Sequence, residues 1–103
     1  MAKENPIPVR LKEARKRANI TQKNLGIRIG MEINSASARM NHYEKGRHTP
    51  DIDTLQRMAD ELGVPLNYFF CESESSAELA CLIAKLDESE KLTLIKNLSL
   101  EKE

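Results

Sequence analysis

The residues best suited to chemistry lie between Ser35 and Arg47, where cationic and hydrogen-bonding side chains share one face of a predicted helix. Ala36, Met40 and Tyr43 are spaced i, i+4, i+7 and form an apolar stripe. A turn of about 100° per residue places a second set away from that stripe: Ser35, Ala38, Arg39, Asn41, His42 and Lys45. Arginine can bind guanine, and asparagine adenine, through two hydrogen bonds each. The face therefore suits recognition of base edges.

Other kinds of chemistry lack the residues they need. Cys71 and Cys81 are ten residues apart, and His42 and His48 lie far upstream, so the spacing matches no metal motif. The chain has no glycine-rich phosphate loop and no usefully spaced pair of acids, and we expect no enzyme activity, metal or cofactor. A tail of about thirty residues is too small for a pocket of several hundred cubic ångströms, so no small-molecule ligand is expected.

The net charge of zero hides a division between the two halves of the chain. Residues 1–50 hold eleven Lys and Arg against four acids, a net charge of +7, whereas residues 51–103 carry −7. A polyanion such as DNA should therefore meet the first half only. The chain contains no apolar run of about 18 residues for a membrane span, and Met1–Pro6 lacks the apolar segment of a signal peptide. We expect no membrane association, a cytoplasmic location and reduced thiols.

Helical periodicity and turn residues predict five helices in the first 70 residues. Asn19 suits a positive φ after helix 1, Thr21 suits the N-cap of helix 2, and Gly46 suits the end of helix 3. Gly26, on the inner side of helix 2, would allow another helix to approach closely. The first two predicted helices cover residues 8–18 and 22–29, and the third runs from a cap at Asn34 or Ser35 to the Gly46 turn. The fourth runs from a cap at Asp51 or Asp53 to Leu62, and Ile52 belongs to its apolar set. The fifth covers residues 65–70, with Leu66 and Phe69 facing inward.

A polar segment, residues 72–76, is predicted to link a domain at 1–71 to a helical tail at 77–103. Ser75-x-x-Glu78 and Asp87-x-x-Glu90 both fit the capping box that starts a helix. Each is followed by an apolar set at helical spacing: Leu79, Leu82, Ile83 and Leu86, then Leu92, Leu94, Ile95 and Leu98. Two short helices cannot bury these sets alone, so they must dock on the core or on a second subunit.

Between residues 8 and 70 the sequence resembles the lambda-repressor and Cro-like (XRE-type) helix-turn-helix family. The resemblance rests on six segments: Ile20-Thr21-Gln22, Leu25-Gly26, Ile29-Gly30-Met31, Asn34 to Tyr43, Glu44-Lys45-Gly46-Arg47 and Thr49-Pro50. It implies an all-α fold with a five-helix DNA-binding domain, followed here by a short two-helix C-terminal tail. It also implies a sequence-specific double-stranded DNA-binding regulator, with the helix around Ser35–Tyr43 in the major groove.

The same resemblance assigns roles to individual residues. Positions counted back from Glu44 imply base contacts by Ser37, Ala38 and His42, with Arg39 and Asn41 beside them. Phosphate contacts are implied for Gln22, Lys45 and Arg47, and to a lesser degree for Thr21 and Lys23. Arg15 and Glu44 match an internal ion pair. The chain departs from the family in the distance between the end of helix 2 and the end of helix 3. Gly30 and Glu44 are fourteen residues apart, where about ten are usual. The extra residues 32–35 therefore require a longer turn or a helix 3 extended at its N-terminus.

The expected protein is a dimeric repressor of phage, prophage or antitoxin type. A small domain covers little DNA, and a homodimer on a palindromic operator is the usual remedy, with the tail as the dimerisation element. The alternative is a protein-interaction module that keeps this fold without reading DNA.

Overall fold

The computed structural model describes residues 5–102, which form six α-helices and one short 3₁₀ helix, with no strand in that range. Met1–Glu4 and Glu103, parts of the predicted segments 1–71 and 77–103, lie outside the described residues. The predicted all-α class is confirmed. In chain order the elements are α1 (Ile7–Arg17), α2 (Gln22–Arg28), α3 (Ala36–Glu44), α4 (Ile52–Leu62), the 3₁₀ helix (Leu66–Phe70), α5 (Glu74–Ala84) and α6 (Glu88–Lys102). We call α1 to the 3₁₀ helix the head, and α5 with α6 the tail.

Side chains and backbone at the helix ends explain where the helices of the head begin and end. The Thr21 hydroxyl accepts a hydrogen bond from Asn24 N at 3.0 Å, so the predicted cap of α2 is confirmed. Asp51 Oδ1 accepts one from Thr54 N at 2.8 Å, so of the two predicted caps of α4 the protein uses Asp51 and not Asp53. The hydrogen bonds from Thr54 lower the pKa of the Asp51 carboxyl below its ordinary value. Asn19 follows α1 with a φ of 57°, the left-handed conformation that its sequence position predicted.

The core of the head contains side chains from all four of its α-helices and from the 3₁₀ helix. Ile52, part of the predicted apolar set of α4, is 57% exposed because it is the first residue of the helix, and Leu55, Met58 and Ala59 fill the core instead. Tyr68 is fully buried and its hydroxyl donates to the Glu13 carboxylate; burial, followed by that bond, raises the pKa of Tyr68. The largest fully buried side chains are Leu11, Leu25, Met40, Leu55, Met58, Tyr68 and Phe69.

The tail begins earlier than its sequence suggested. Ser73 is the N-cap of α5 and accepts a hydrogen bond from Ser76 N at 3.1 Å, so the predicted box at Ser75 is wrong and part of the segment 72–76 belongs to the first turn of α5. Only Ser75 has a glutamate three residues later, but the N-cap role itself needs just a side-chain oxygen, which Ser73 also offers. The second box is confirmed: Asp87 N donates to Glu90 Oε1 at 3.0 Å, and Glu90 N donates to Asp87 Oδ1 at 2.8 Å.

The two tail helices relate differently to the head. Ala77 and Ala80 of α5 are buried, and Arg10 Nη1 of α1 donates to the Ser73 carbonyl at 3.2 Å, so α5 is docked on the head. In α6 no side chain among residues 88–101 is buried. Of the two predicted alternatives, docking of the apolar sets on the core is not what the protein shows: Leu79, Leu82, Ile83, Leu92, Ile95 and Leu98 are exposed, and Leu86 and Leu94 are half-buried.

Candidate nucleic-acid interface

The close packing of α2 on α3 fixes the helix that carries the candidate reading residues. A Cβ atom placed on Gly26 would lie 2.9 Å from Ala36 Cβ and 3.2 Å from the Ala36 carbonyl oxygen. Such distances are too short for any side chain, so glycine is required for the two helices to approach this closely. The close approach that Gly26 predicted is confirmed.

The extra residues of the chain lengthen the turn between α2 and α3. Helix α3 begins at Ala36, after Ser35 as its N-cap residue, so the longer-turn alternative is the one the protein adopts. Met31 N donates to the Gly26 carbonyl at 2.9 Å, and Ser35 N donates to the Glu32 carbonyl at 3.1 Å. These bonds hold the turn at both of its ends.

A buried ion pair ties α1 to the end of α3. Arg15 Nη2 lies 3.0 Å from Glu44 Oε1, and Arg15 Nη1 donates to the Ile20 carbonyl at 2.9 Å. The carboxylate of Glu44 is almost fully buried. The pair expected from the resemblance is therefore present, and it fixes the C-terminal end of α3 against the head.

Gln22 joins this network through its side-chain amide. Its Nε2 donates to Glu44 Oε1 at 3.1 Å and to Asn41 Oδ1 at 3.3 Å. Because the amide has two hydrogens, both of its donors are used inside the protein. Asn41 keeps its Nδ2 donor, whereas its acceptor is shared with Gln22. The structure thus links a residue expected at phosphate to a residue expected at a base.

The outer face of α3 gathers the five residues expected at base edges. Ser37, Ala38 and Arg39 are exposed, and Asn41 and His42 are half-buried on the same helix. His42 also faces a residue that the sequence did not single out: its ring centroid lies 5.4 Å from that of His48. The two histidines belong to an open cleft of about 370 Å³, which is lined by Arg39, His42, Tyr43, His48 and Thr49.

The residues expected at phosphates lie at the ends of α2 and α3. Thr21 and Lys23 are exposed at the start of α2, and Lys45 and Arg47 are exposed just after α3. A groove of about 640 Å³ joins the two ends and also contains Lys12 of α1, a cation that sequence spacing did not place here. The full lining is Pro8, Val9, Lys12, Arg15, Gln22, Asn41, Glu44 and Lys45. Lys12 and His48 were missed because their positions depend on how the helices cross.

Residues suited to metal or thiol chemistry do not converge in the described part of the chain. No group of three or more His, Cys, Asp or Glu side chains there could hold a metal ion. Cys71 and Cys81 are free and half-buried, and burial raises the pKa of the Cys81 thiol. None of the helices described is long and apolar enough to cross a membrane.

Comparison with known proteins identifies a matching family model and similar solved structures. The family model HTH_3, described as helix-turn-helix, matches residues 11–69. The crystal structure of the transcriptional regulator BswR is similar with a TM-score of 0.80 and 40% sequence identity, covering 91% of this chain and 93% of that chain. None of the curated proteins compared matches the sequence.

Proposed function

We propose, from the premise that this chain belongs to the HTH_3 helix-turn-helix family of DNA-binding transcription regulators, that it is a dimeric repressor. In this proposal each subunit inserts α3 into the major groove of a palindromic operator. The observation that carries this proposal is the outer face of α3, held in place by Gly26 on one side and by Arg15 and Glu44 at its end. We infer the phage, prophage or antitoxin type from the family resemblance. A regulator of this kind acts where the genome lies, which implies a cytoplasmic location.

The base contacts follow from the donors and acceptors that α3 offers. Arg39 is exposed and suits guanine O6 and N7 through two hydrogen bonds. Ser37 and His42 can each make one hydrogen bond, and Ala38 can touch a thymine methyl group. Gln22 uses one of the two lone pairs of Asn41 Oδ1, which helps to position the Asn41 amide. We therefore expect Asn41 to donate from Nδ2 to a base acceptor, with the second lone pair of Oδ1 still open to a base donor.

The phosphate contacts follow from the position of the cations around α3. Lys45 and Arg47 are exposed beyond its C-terminal end, and Thr21 and Lys23 are exposed at the start of α2. Gln22 has both amide hydrogens bound, so it would approach a phosphate through the backbone N–H groups at the start of α2 or by leaving Asn41. These residues all belong to the basic half of the chain.

The tail supplies the surface for pairing two subunits. Large apolar side chains are exposed on both tail helices, including Leu79 of α5 and Leu92 of α6, and contiguous surfaces of this kind mark protein contacts. The second half of the chain carries a net charge of −7, which keeps it away from phosphate. We propose the second copy of this chain as the partner, and a division into a DNA-reading head and a dimerising tail.

Selection of binding sites from a random DNA pool, with the full-length protein, tests the function. We expect one enriched palindrome whose half-site centres lie about 10 bp, or a multiple of it, apart. Affinity for that site, measured by gel shift at several salt concentrations, should fall linearly in a log–log plot. An unenriched pool and an affinity independent of salt would instead support the interaction module that keeps the fold without reading DNA.

A further inference from the structure

We propose that Ile33, in the turn before α3, is a further specificity-determining residue that packs against the C5-methyl group of a thymine. The inference rests on the proposed insertion of α3 into the major groove. It adds an apolar contact to a set of expected base contacts that are mainly hydrogen bonds.

The first observation is that Ile33 has no place in the core. Its side chain is 57% exposed, although isoleucine is among the residues most often buried. The space between α2 and α3 is already filled at Gly26 by Ala36, which is fully buried, and by Met31, whose Sδ would lie 3.0 Å from a Cβ on Gly26. A tightly packed interior leaves no room for a further branched side chain.

The second observation is that the turn holds Ile33 in one position. Glu32 accepts three hydrogen bonds from the two residues that follow Ile33: its carboxylate binds Asn34 N at 3.1 Å, and its carbonyl binds Ser35 N at 3.1 Å and Ser35 Oγ at 3.3 Å. The backbone therefore closes around Ile33. A side chain presented from such a turn loses little conformational entropy when it binds.

The third observation is the position of Ile33 relative to the start of α3. Ile33 precedes Ala36, the first residue of α3, by three positions, a chain length of at most about 10 Å. The N-terminal residues of a recognition helix contact base edges, so this turn lies beside the groove. In the major groove, thymine is the base that offers a methyl group, which makes it the natural partner of an exposed isoleucine.

The test compares thymine with deoxyuridine, which lacks the methyl group, at each thymine of the selected operator. We expect one substitution, outside the positions read by Ala38, Arg39 and His42, to lower the affinity of the wild-type protein about fourfold, the effect of one buried methyl group. Ile33→Ala should bind both bases equally at that position and keep the wild-type response at every other thymine. Ile52→Ala is the matched control, because Ile52 is also 57% exposed but lies at the start of α4.

Three results would overturn the inference while leaving the proposed function intact. In the first, no deoxyuridine substitution changes the affinity of the wild-type protein. In the second, Ile33→Ala responds to each deoxyuridine as the wild-type protein does. In the third, Ile33→Ala lowers the affinity equally on all DNA. In the third case, analytical ultracentrifugation would show whether Ile33 contacts a second subunit. Failure of the proposed function looks different, since the wild-type protein would then select no operator.

Discussion

Arg39 is exposed on the outer face of α3, and its guanidinium suits a guanine edge. Arg39→Ala should lower the affinity for the selected operator by about 1–3 kcal/mol and relax the preference at one base pair, with a much smaller effect on random DNA. Fluorescence anisotropy on both DNAs measures this difference. Arg57→Ala, which removes an exposed arginine of α4, is the control. Equal losses on both DNAs would make Arg39 a backbone contact.

Lys45 and Arg47 lie beyond the end of α3 and are expected at phosphates. Lys45→Ala and Arg47→Ala should each reduce the slope of log K against log salt by roughly 0.9, because each releases one fewer counterion on binding. Gel shifts between low and moderate salt give the slope. Lys85→Ala, in the acidic half, should leave it unchanged. If neither variant alters affinity or slope, the docking orientation proposed for α3 is wrong.

Single residues were predictable from sequence where their role depends on local geometry. Asn19 after α1 and Thr21 before α2 are examples, because a turn and a cap involve only neighbouring residues. The ion pair of Arg15 with Glu44 was predictable only through the family resemblance. The bond between Gln22 and Asn41 was not predictable, because it depends on the distance between two helices to within an ångström. The base and phosphate assignments themselves stay predictions.

At the level of elements, Gly26 determines how α2 meets α3. Gly26→Val should lower the free energy of unfolding by about 1–3 kcal/mol, because the added Cβ would lie 3.2 Å from the Ala36 carbonyl oxygen, a backbone atom that cannot turn aside. Urea denaturation measures the change. Lys23→Val places the same side chain at an exposed position of α2 and should have a smaller effect. Equal stability of Gly26→Val and the wild-type protein would contradict the packing described.

The Asp51 cap gives α4 a dependence on pH. Its carboxyl pKa is lowered in the folded protein from an ordinary value of 3.8, so the ionised cap stabilises the fold above that value, and the stabilisation is lost as the pH falls through the lowered pKa. Asp51→Asn keeps a cap that does not titrate. The Tm advantage of the wild-type protein over this variant should therefore be larger at pH 7 than at pH 3. Asp53→Asn controls for net charge, and equal pH dependence in all three proteins would contradict the prediction.

Helix bounds in the head agree with the sequence pattern to within two residues, because caps and turns are local signals. The inner face of α5 could not be predicted. Its leucines and its alanines both recur at helical spacing, and the protein buries Ala77 and Ala80 against the head. Periodicity identifies two faces of a helix, but the space available on a neighbouring surface decides which face is buried.

At the level of the whole molecule, we expect the proposed dimer to pair through the exposed apolar side chains of α6. Leu92 and Ile95 are 65% and 59% exposed, and substituting both with Glu should convert the dimer to a monomer because a charge would then be buried in the interface. The fold of the head should persist, since no side chain of residues 88–101 is buried. Sedimentation velocity and circular dichroism measure the two properties, with Ile52→Glu as the control. If the double variant stays dimeric, the interface would instead lie on the head, near the exposed Phe70. Tyr68 could not take part in it, because Tyr68 is buried.

The tight junction between α2 and α3 makes the head a stiff body. With Gly26 against Ala36, and with Glu44 bound by Arg15 and Gln22, we expect α3 not to tilt independently of α2 to follow a groove of different width. Any misfit must then be absorbed by the double helix, whose elastic energy depends on its own sequence. In the proposed palindromic operator, base pairs between the half-sites would thus contribute to selection without a side-chain contact, and easily bent steps such as TA should be enriched there over stiff A-tracts.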